Sequence, residues 1–130
     1  MIDITFDVRK GARLDGFQIL KKTEHVFHIN DGSGAFVTLV EGKNRALLVD
    51  TSWGIKDLRS LVEKLISVPY TVVNTHGHPD HCYGNFQFDE VLVPERDVDV
   101  GRTGTRTRRA APLSCGSLRR CRGRSVPRYA

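Results

Sequence analysis

No run of eighteen consecutive apolar residues occurs in this 130-residue chain, which excludes a helix long enough to span a membrane. An apolar signal core is also missing. The first eleven residues carry Asp3, Asp7, Arg9 and Lys10, so no secretory signal is visible and the expected compartment is the cytoplasm. Cysteine is scarce and odd in number: Cys82, Cys115 and Cys121. The last two stand six apart and match no zinc-knuckle spacing, so all three are read as free thiols. What is present suffices for one modest domain. Apolar residues make up 39% of the chain and mean hydropathy is −0.31, which excludes a chain disordered throughout.

Acid is absent from the end of the chain. Residues 1–100 hold 11 basic and 15 acidic side chains, a net charge of −4, whereas residues 101–130 hold nine arginines and no acid, a net charge of +9. The tail also lacks Lys, His, Ile and Phe, and its sizeable apolar residues are Leu113, Leu118, Val126 and Tyr129. Such a composition buries too little surface to offset chain entropy, so the tail is expected to be disordered or only partly helical. The domain division expected is therefore 1–100 and 101–130. Arginines could grip nucleic-acid phosphates, but aromatics that would stack on bases are nearly missing. Arg, Gly, Ala, Pro and Ser without Lys is also what GC-rich DNA yields when read in a shifted frame, and the sequence favours that reading.

Along the first hundred residues, turn signals stand at Lys10-Gly11 and Asp15-Gly16. Strands are expected at 24–29, 35–40, 46–49, 70–74 and 91–93, the second and third forming an antiparallel hairpin. Ile55, Leu58, Val62, Leu65 and Ile66 recur at helical steps, which predicts a helix over 55–66 capped by Thr51 or Ser52 and ended by Pro69. Strands and a helix in this order make an α/β arrangement.

Directly after the strand at 70–74 stands Thr75-His76-Gly77-His78-Pro79-Asp80-His81, which contains three of the five histidines. Neutral imidazole and carboxylate are ligands that suit Zn2+. Two histidines around one Gly can turn to a common ion, and Asp80 with His81 can begin a second site. By composition, H-x-H-x-D-H arises by chance in about one such chain in two thousand. The bland reading is a polar turn with solvated histidines. His25 and His28 read as ordinary strand residues, and Cys82 as a small buried side chain rather than a soft ligand. Trp53 reads as core packing rather than a pocket wall, and Asp89-Glu90 as a solvated turn. Asp31-Gly32-Ser33-Gly34 lacks the Lys of a phosphate cradle.

The T-H-G-H-P-D-H loop, together with Leu47-Leu48-Val49-Asp50-Thr51, the helix at 55–66 and Gly84-Asn85, resembles the metallo-β-lactamase superfamily over about residues 23–97. The resemblance implies the first half of a four-layer αββα sandwich. It also implies that His76 and His78 bind one zinc and Asp80 and His81 a second. A bridging hydroxide oriented by Asp80 would then attack an ester, thioester, amide or phosphodiester of a small-molecule substrate. Asp50 matches a position near the metals, holding the loop or a ligand; the competing reading makes it a helix cap.

The family's later ligands have no counterpart, because no histidine follows His81 and the last aspartates, Asp89, Asp97 and Asp99, come too early. Half a sandwich should also expose an apolar sheet face, which favours aggregation or a symmetric dimer. The expected function is thus a zinc-dependent hydrolase of this fold whose present chain is truncated and a poor enzyme. The alternatives are a non-catalytic remnant with weak metal binding, and nucleic-acid binding through the tail.

Overall fold

Short runs of alternating apolar residues build most of the molecule. A computed structural model describes residues 11–97 in full, and the backbone of 105–107 and 118–123. The first hairpin joins β1 (Ala12–Leu14) to β2 (Phe17–Lys21). Asp15 and Gly16 both have positive φ, 52° and 83°, which suits a two-residue turn whose twist matches that of the strands. Both strands precede the first strand expected from the sequence, which marks only their turn at Asp15-Gly16. β3 (Val26–Asn30), β4 (Phe36–Glu41) and β5 (Ala46–Val49) continue the antiparallel meander. The expected hairpin is β4–β5.

The chain then reverses its habit. Helix α1 (Leu58–Leu65) carries it back so that β6 (Tyr70–Val73) lies parallel to β5. A parallel pair requires such a crossover. Helix α2 (Pro79–Cys82) and a 3-10 turn (Tyr83–Gln87) lead to β7 (Glu90–Pro94), parallel to β6, and a second 3-10 turn spans Glu95–Asp97.

In the tail, Thr105–Thr107 (β8) and Leu118–Gly123 (β9) are strands, with β9 antiparallel to both β7 and β8. Ladder hydrogen bonds to the edge of β7 need no apolar side chains. The remaining tail residues, with Cys115, lie outside the described residues, as do the side chains of β8 and β9. The sheet order is β1-β2-β3-β4-β5-β6-β7-β9-β8.

One face of this sheet carries Phe17, Ile19, Ile29, Val37, Leu39, Leu48, Val72, Val91 and Val93, all buried in one cluster with Leu58, Leu61, Val62 and Leu65 of α1. The opposite face of the same strands bears Phe36 and Leu47, 45% and 37% exposed, beside half-buried Val40, Val49 and Val73. Among the described residues, no helix is long and apolar enough to cross a membrane.

Helix α1 begins later than the periodicity predicts. Ile55 is 72% exposed, and the cap is Asp57, whose carboxylate accepts from Ser60 N at 3.0 Å. The Gln87 side chain accepts from Leu58 N and Arg59 N at 2.8 and 3.2 Å, satisfying further donors of the first turn. Thr51 and Ser52 do not cap it. They belong to a tight loop in which Asp50 and Ser52 have φ of 68° and 60°.

Candidate metal centre

Because β5 and β6 are parallel neighbours, the residues just past their C-terminal ends meet, the usual place for a ligand site in such sheets. From β5 comes Asp50, buried at 5% exposure. From β6 comes the loop from Thr75 to His81. The Asp50 carboxylate accepts from Thr75 N at 2.7 Å, from the Thr75 hydroxyl at 2.9 Å, and from His81 Nδ1 at 2.9 Å. It therefore holds the loop and one of its imidazoles. The alternative reading of Asp50 as a helix cap is corrected, since its oxygens are taken by the loop and Asp57 caps α1.

The three loop histidines are brought together. The rings of His76 and His78 lie 4.6 Å apart, edge to face, and those of His76 and His81 lie 4.1 Å apart. Pro79 opens α2 at its first position, where a missing N–H costs nothing. His81 N and Cys82 N both donate to His78 O. Asp80 Oδ2 stands 3.3 Å from His81 Nε2. That separation matches the edge of a tetrahedron with bonds of about 2.0–2.1 Å, roughly 3.3–3.4 Å. The donor types and this spacing fit a zinc-like ion. Among the described residues, however, no group of three or more His, Cys, Asp and Glu is already gathered to hold a metal.

Beneath the loop lies a buried polar clasp. Asn85 Oδ1 accepts from the Thr51 hydroxyl at 2.7 Å and from Asn74 Nδ2 at 3.1 Å, while Asn85 Nδ2 donates to Asn74 Oδ1 at 2.6 Å. Asn74 Nδ2 and Thr51 N also donate to His81 O at 3.1 and 2.9 Å. Thr51, Asn74 and Asn85 are at most 3% exposed. Gly84 packs against Thr51 so closely that a Cβ there would strike the Thr51 carbonyl oxygen. Asn74 and Thr75 were not singled out in the sequence. The available signal was polar side chains at the end of an otherwise apolar strand.

The other candidates fall into structural roles. Cys82 is a buried free thiol donating to Gly77 O at 3.4 Å, and burial, with the nearby charges of Asp50 and Asp80, pushes its pKa up to about 11. Trp53 is not core. It is 40% exposed and meets Tyr83 edge to face at 5.9 Å, because the loop after β5 turns it outward. His28 lies against Phe36, and His25 is exposed outside β3. Asp31 fixes a turn rather than a phosphate: it accepts from Ser33 N at 2.9 Å and from the Ser52 hydroxyl at 2.8 Å. Asp89 pairs with Arg59 at 3.3 Å, and Glu90 begins β7.

The sequence profile of the metallo-beta-lactamase superfamily matches residues 30–101, more than half of the chain, and the chain belongs to that superfamily. No curated protein matches it. Thirty-four chains of solved structures do. One is a crystal structure of DIM-1 metallo-beta-lactamase exposed to ceftazidime, with a TM-score of 0.54 and 23% identity over 68% of this chain. That likeness carries the fold. The present chain spans 47% of that protein's length.

Proposed function

We propose that the chain is the N-terminal half of a metal-dependent hydrolase, with His76, His78, Asp80 and His81 as metal ligands and Asp50 holding His81 from behind. The observation that carries this reading is the approach of the His76 ring to those of His78 and His81, with Asp80 beside His81, at the ends of two parallel strands and within the span matched by the superfamily profile. A zinc ion held by these residues would supply hydroxide near neutral pH by lowering the pKa of its water. The chain's own part is orientation. Asp50 aims the His81 ring, the Asn74–Asn85 clasp fixes the His81 carbonyl, and Asp80 offers an acceptor beside the reacting face. Esters, thioesters, amides and phosphodiesters of small molecules are the substrate classes proposed.

Four donors fall short of the six or seven that two closed sites would use. Activity of this chain by itself is therefore expected to be low, and the non-catalytic remnant stands as the second reading, favoured by the lack of a pre-gathered donor group. Hydrolysis of a panel of chromogenic esters, thioesters, β-lactams and phosphodiesters, with zinc and with chelator, separates the two. Chelator-sensitive turnover that disappears in Asp80→Ala supports the hydrolase. Turnover unaffected by chelator, or none from this chain and none from a full-length relative carrying the same loop, rejects it.

A further inference from the structure

We infer that the Asp50 carboxylate holds a proton on Nδ1 of two imidazoles at once, His81 directly and His76 through the Thr75 hydroxyl, so that Thr75 is a positioning residue of the metal centre. The inference rests on the metal-centre reading and deepens it. Its basis is proton counting. The Thr75 Oγ1 atom lies 2.9 Å from Asp50 Oδ2, 3.1 Å from Asp50 Oδ1 and 2.8 Å from His76 Nδ1. The hydroxyl owns one proton, and an ionised carboxylate only accepts. If that proton went to His76, the hydroxyl and carboxylate oxygens would face each other 2.9 Å apart with nothing between them. The one arrangement that satisfies every contact has Thr75 donating to Asp50 and accepting from His76 Nδ1–H. By the same count, His81 Nδ1 carries a proton for Asp50 Oδ2 at 2.9 Å.

His76 is thereby left with the lone pair on Nε2, the nitrogen available to a metal, whereas His81 Nε2 faces Asp80 Oδ2 at 3.3 Å, a gap that takes a proton or a metal. A metal-bound imidazole ordinarily has its other nitrogen anchored in this way. Here a single buried carboxylate anchors two. The relay is rigid for two reasons. Thr75 N also donates to Asp50 Oδ1 at 2.7 Å, and Asp50 N donates to Val73 O at 2.7 Å, tying both ends to the β5–β6 ladder. The positive φ of Asp50, 68°, is the backbone conformation that accompanies this placement. His78 has no such anchor among the contacts of Asp50 and Thr75, so the relay distinguishes His76 and His81 from His78.

The test reads imidazole nitrogens by 15N–1H correlation in the metal-free full chain at pH 8, in parallel with zinc affinity. In the wild type, His76 is expected as the Nδ1–H tautomer, and His81 with a proton on Nδ1. Thr75→Val keeps the side-chain shape and removes the hydroxyl. His76 should then move to the Nε2–H form that free histidine favours, while His81 stays unchanged, and zinc affinity should fall about 10- to 100-fold. Thr75→Ser should restore both readouts, which separates the relay from a general packing defect. An Nε2–H tautomer at His76 in the wild type, or a His76 tautomer indifferent to Thr75→Val, overturns the inference. If the tautomers behave as expected and no form binds zinc, the relay stands and the metal-centre reading fails. If zinc binds and the tautomers do not respond, the relay alone fails.

Discussion

Replacing Asn85 with Ala would remove the centre of the buried clasp. The side chain makes three hydrogen bonds: it accepts at 2.7 Å from Thr51 and at 3.1 Å from Asn74, and donates at 2.6 Å to Asn74. Two of the groups left behind keep a second partner, since Asn74 Nδ2 and the Thr51 hydroxyl both also reach His81 O. Asn74 Oδ1 loses the one partner that the described contacts give it. An orphaned buried polar group costs about 1–3 kcal/mol, and each lost hydrogen bond about 1 kcal/mol. The expected loss for Asn85→Ala is therefore about 3 kcal/mol, or roughly 12–24 °C in Tm for a folded unit of this size. Asn85→Asp is the sharper variant. It keeps the acceptor but turns the donor into an oxygen facing Asn74 Oδ1, and it buries a charge, so it should cost at least as much as Ala. Thr51→Val, which removes a single hydroxyl, should cost about 1 kcal/mol. Urea and thermal unfolding followed by circular dichroism on the full chain measure all three. A loss below about 0.5 kcal/mol for Asn85→Ala, the size of an ordinary surface change, would refute the reasoning. So would Asn85→Asp more stable than Asn85→Ala.

Three further outcomes are expected. Gly84→Ala should destabilise by about 2 kcal/mol or more, because the added methyl meets the Thr51 backbone rather than a movable side chain, and thermal melting checks it. Burial works against the Asp31 carboxylate, yet hydrogen bonds from Ser33 and Ser52 and the charge of Lys56 together hold its pKa below the usual carboxylate value. A lowered folded-state pKa adds stability above the unfolded value, near 3.9, that is lost as pH falls through the lower folded one. Unfolding free energy measured from pH 6 to pH 2 should thus fall less steeply at the acid end in Asp31→Asn than in wild type. Phe36→Glu with Leu47→Lys should reduce self-association in sedimentation velocity, because both side chains stand exposed on the sheet face away from α1; unchanged association would place the sticky surface elsewhere.

The strands made of short apolar runs were legible in the sequence: 46–49 matches β5, and 70–74 and 91–93 find β6 and β7 to within a residue at each end. The 3.6-residue periodicity also located α1, but overran it at the start. Ile55 fits the stripe in number, yet it sits in a loop whose backbone is bent by positive φ at Asp50, Ser52 and Gly54, and periodicity carries no information about such angles. β1 and β2 escape the sequence reading because they are short, three and five residues, with polar interruptions at Arg13 and Gln18. The candidate site stood out where residue types are rare, in the three histidines and Asp80. It was illegible where common residues act through tertiary contact. Nothing local marks Thr75 as the partner of Asp50, 25 positions away, or Asn85 as the partner of Thr51, 34 positions away. Only the superfamily resemblance drew Asp50 toward the loop, and the structure puts its carboxylate against Thr75 and His81.

The central claim is that the loop 75–81 holds a divalent metal through its imidazoles and Asp80. Isothermal titration of zinc into the metal-free full chain tests it most directly, with His76→Ala, His78→Ala and His81→Ala titrated beside it and each variant's folding confirmed by circular dichroism. At least one equivalent bound by the wild type, with affinity weakened in each folded variant, is the predicted result. Zinc binding absent from the wild type, or equally strong when all three histidines are replaced, would contradict it.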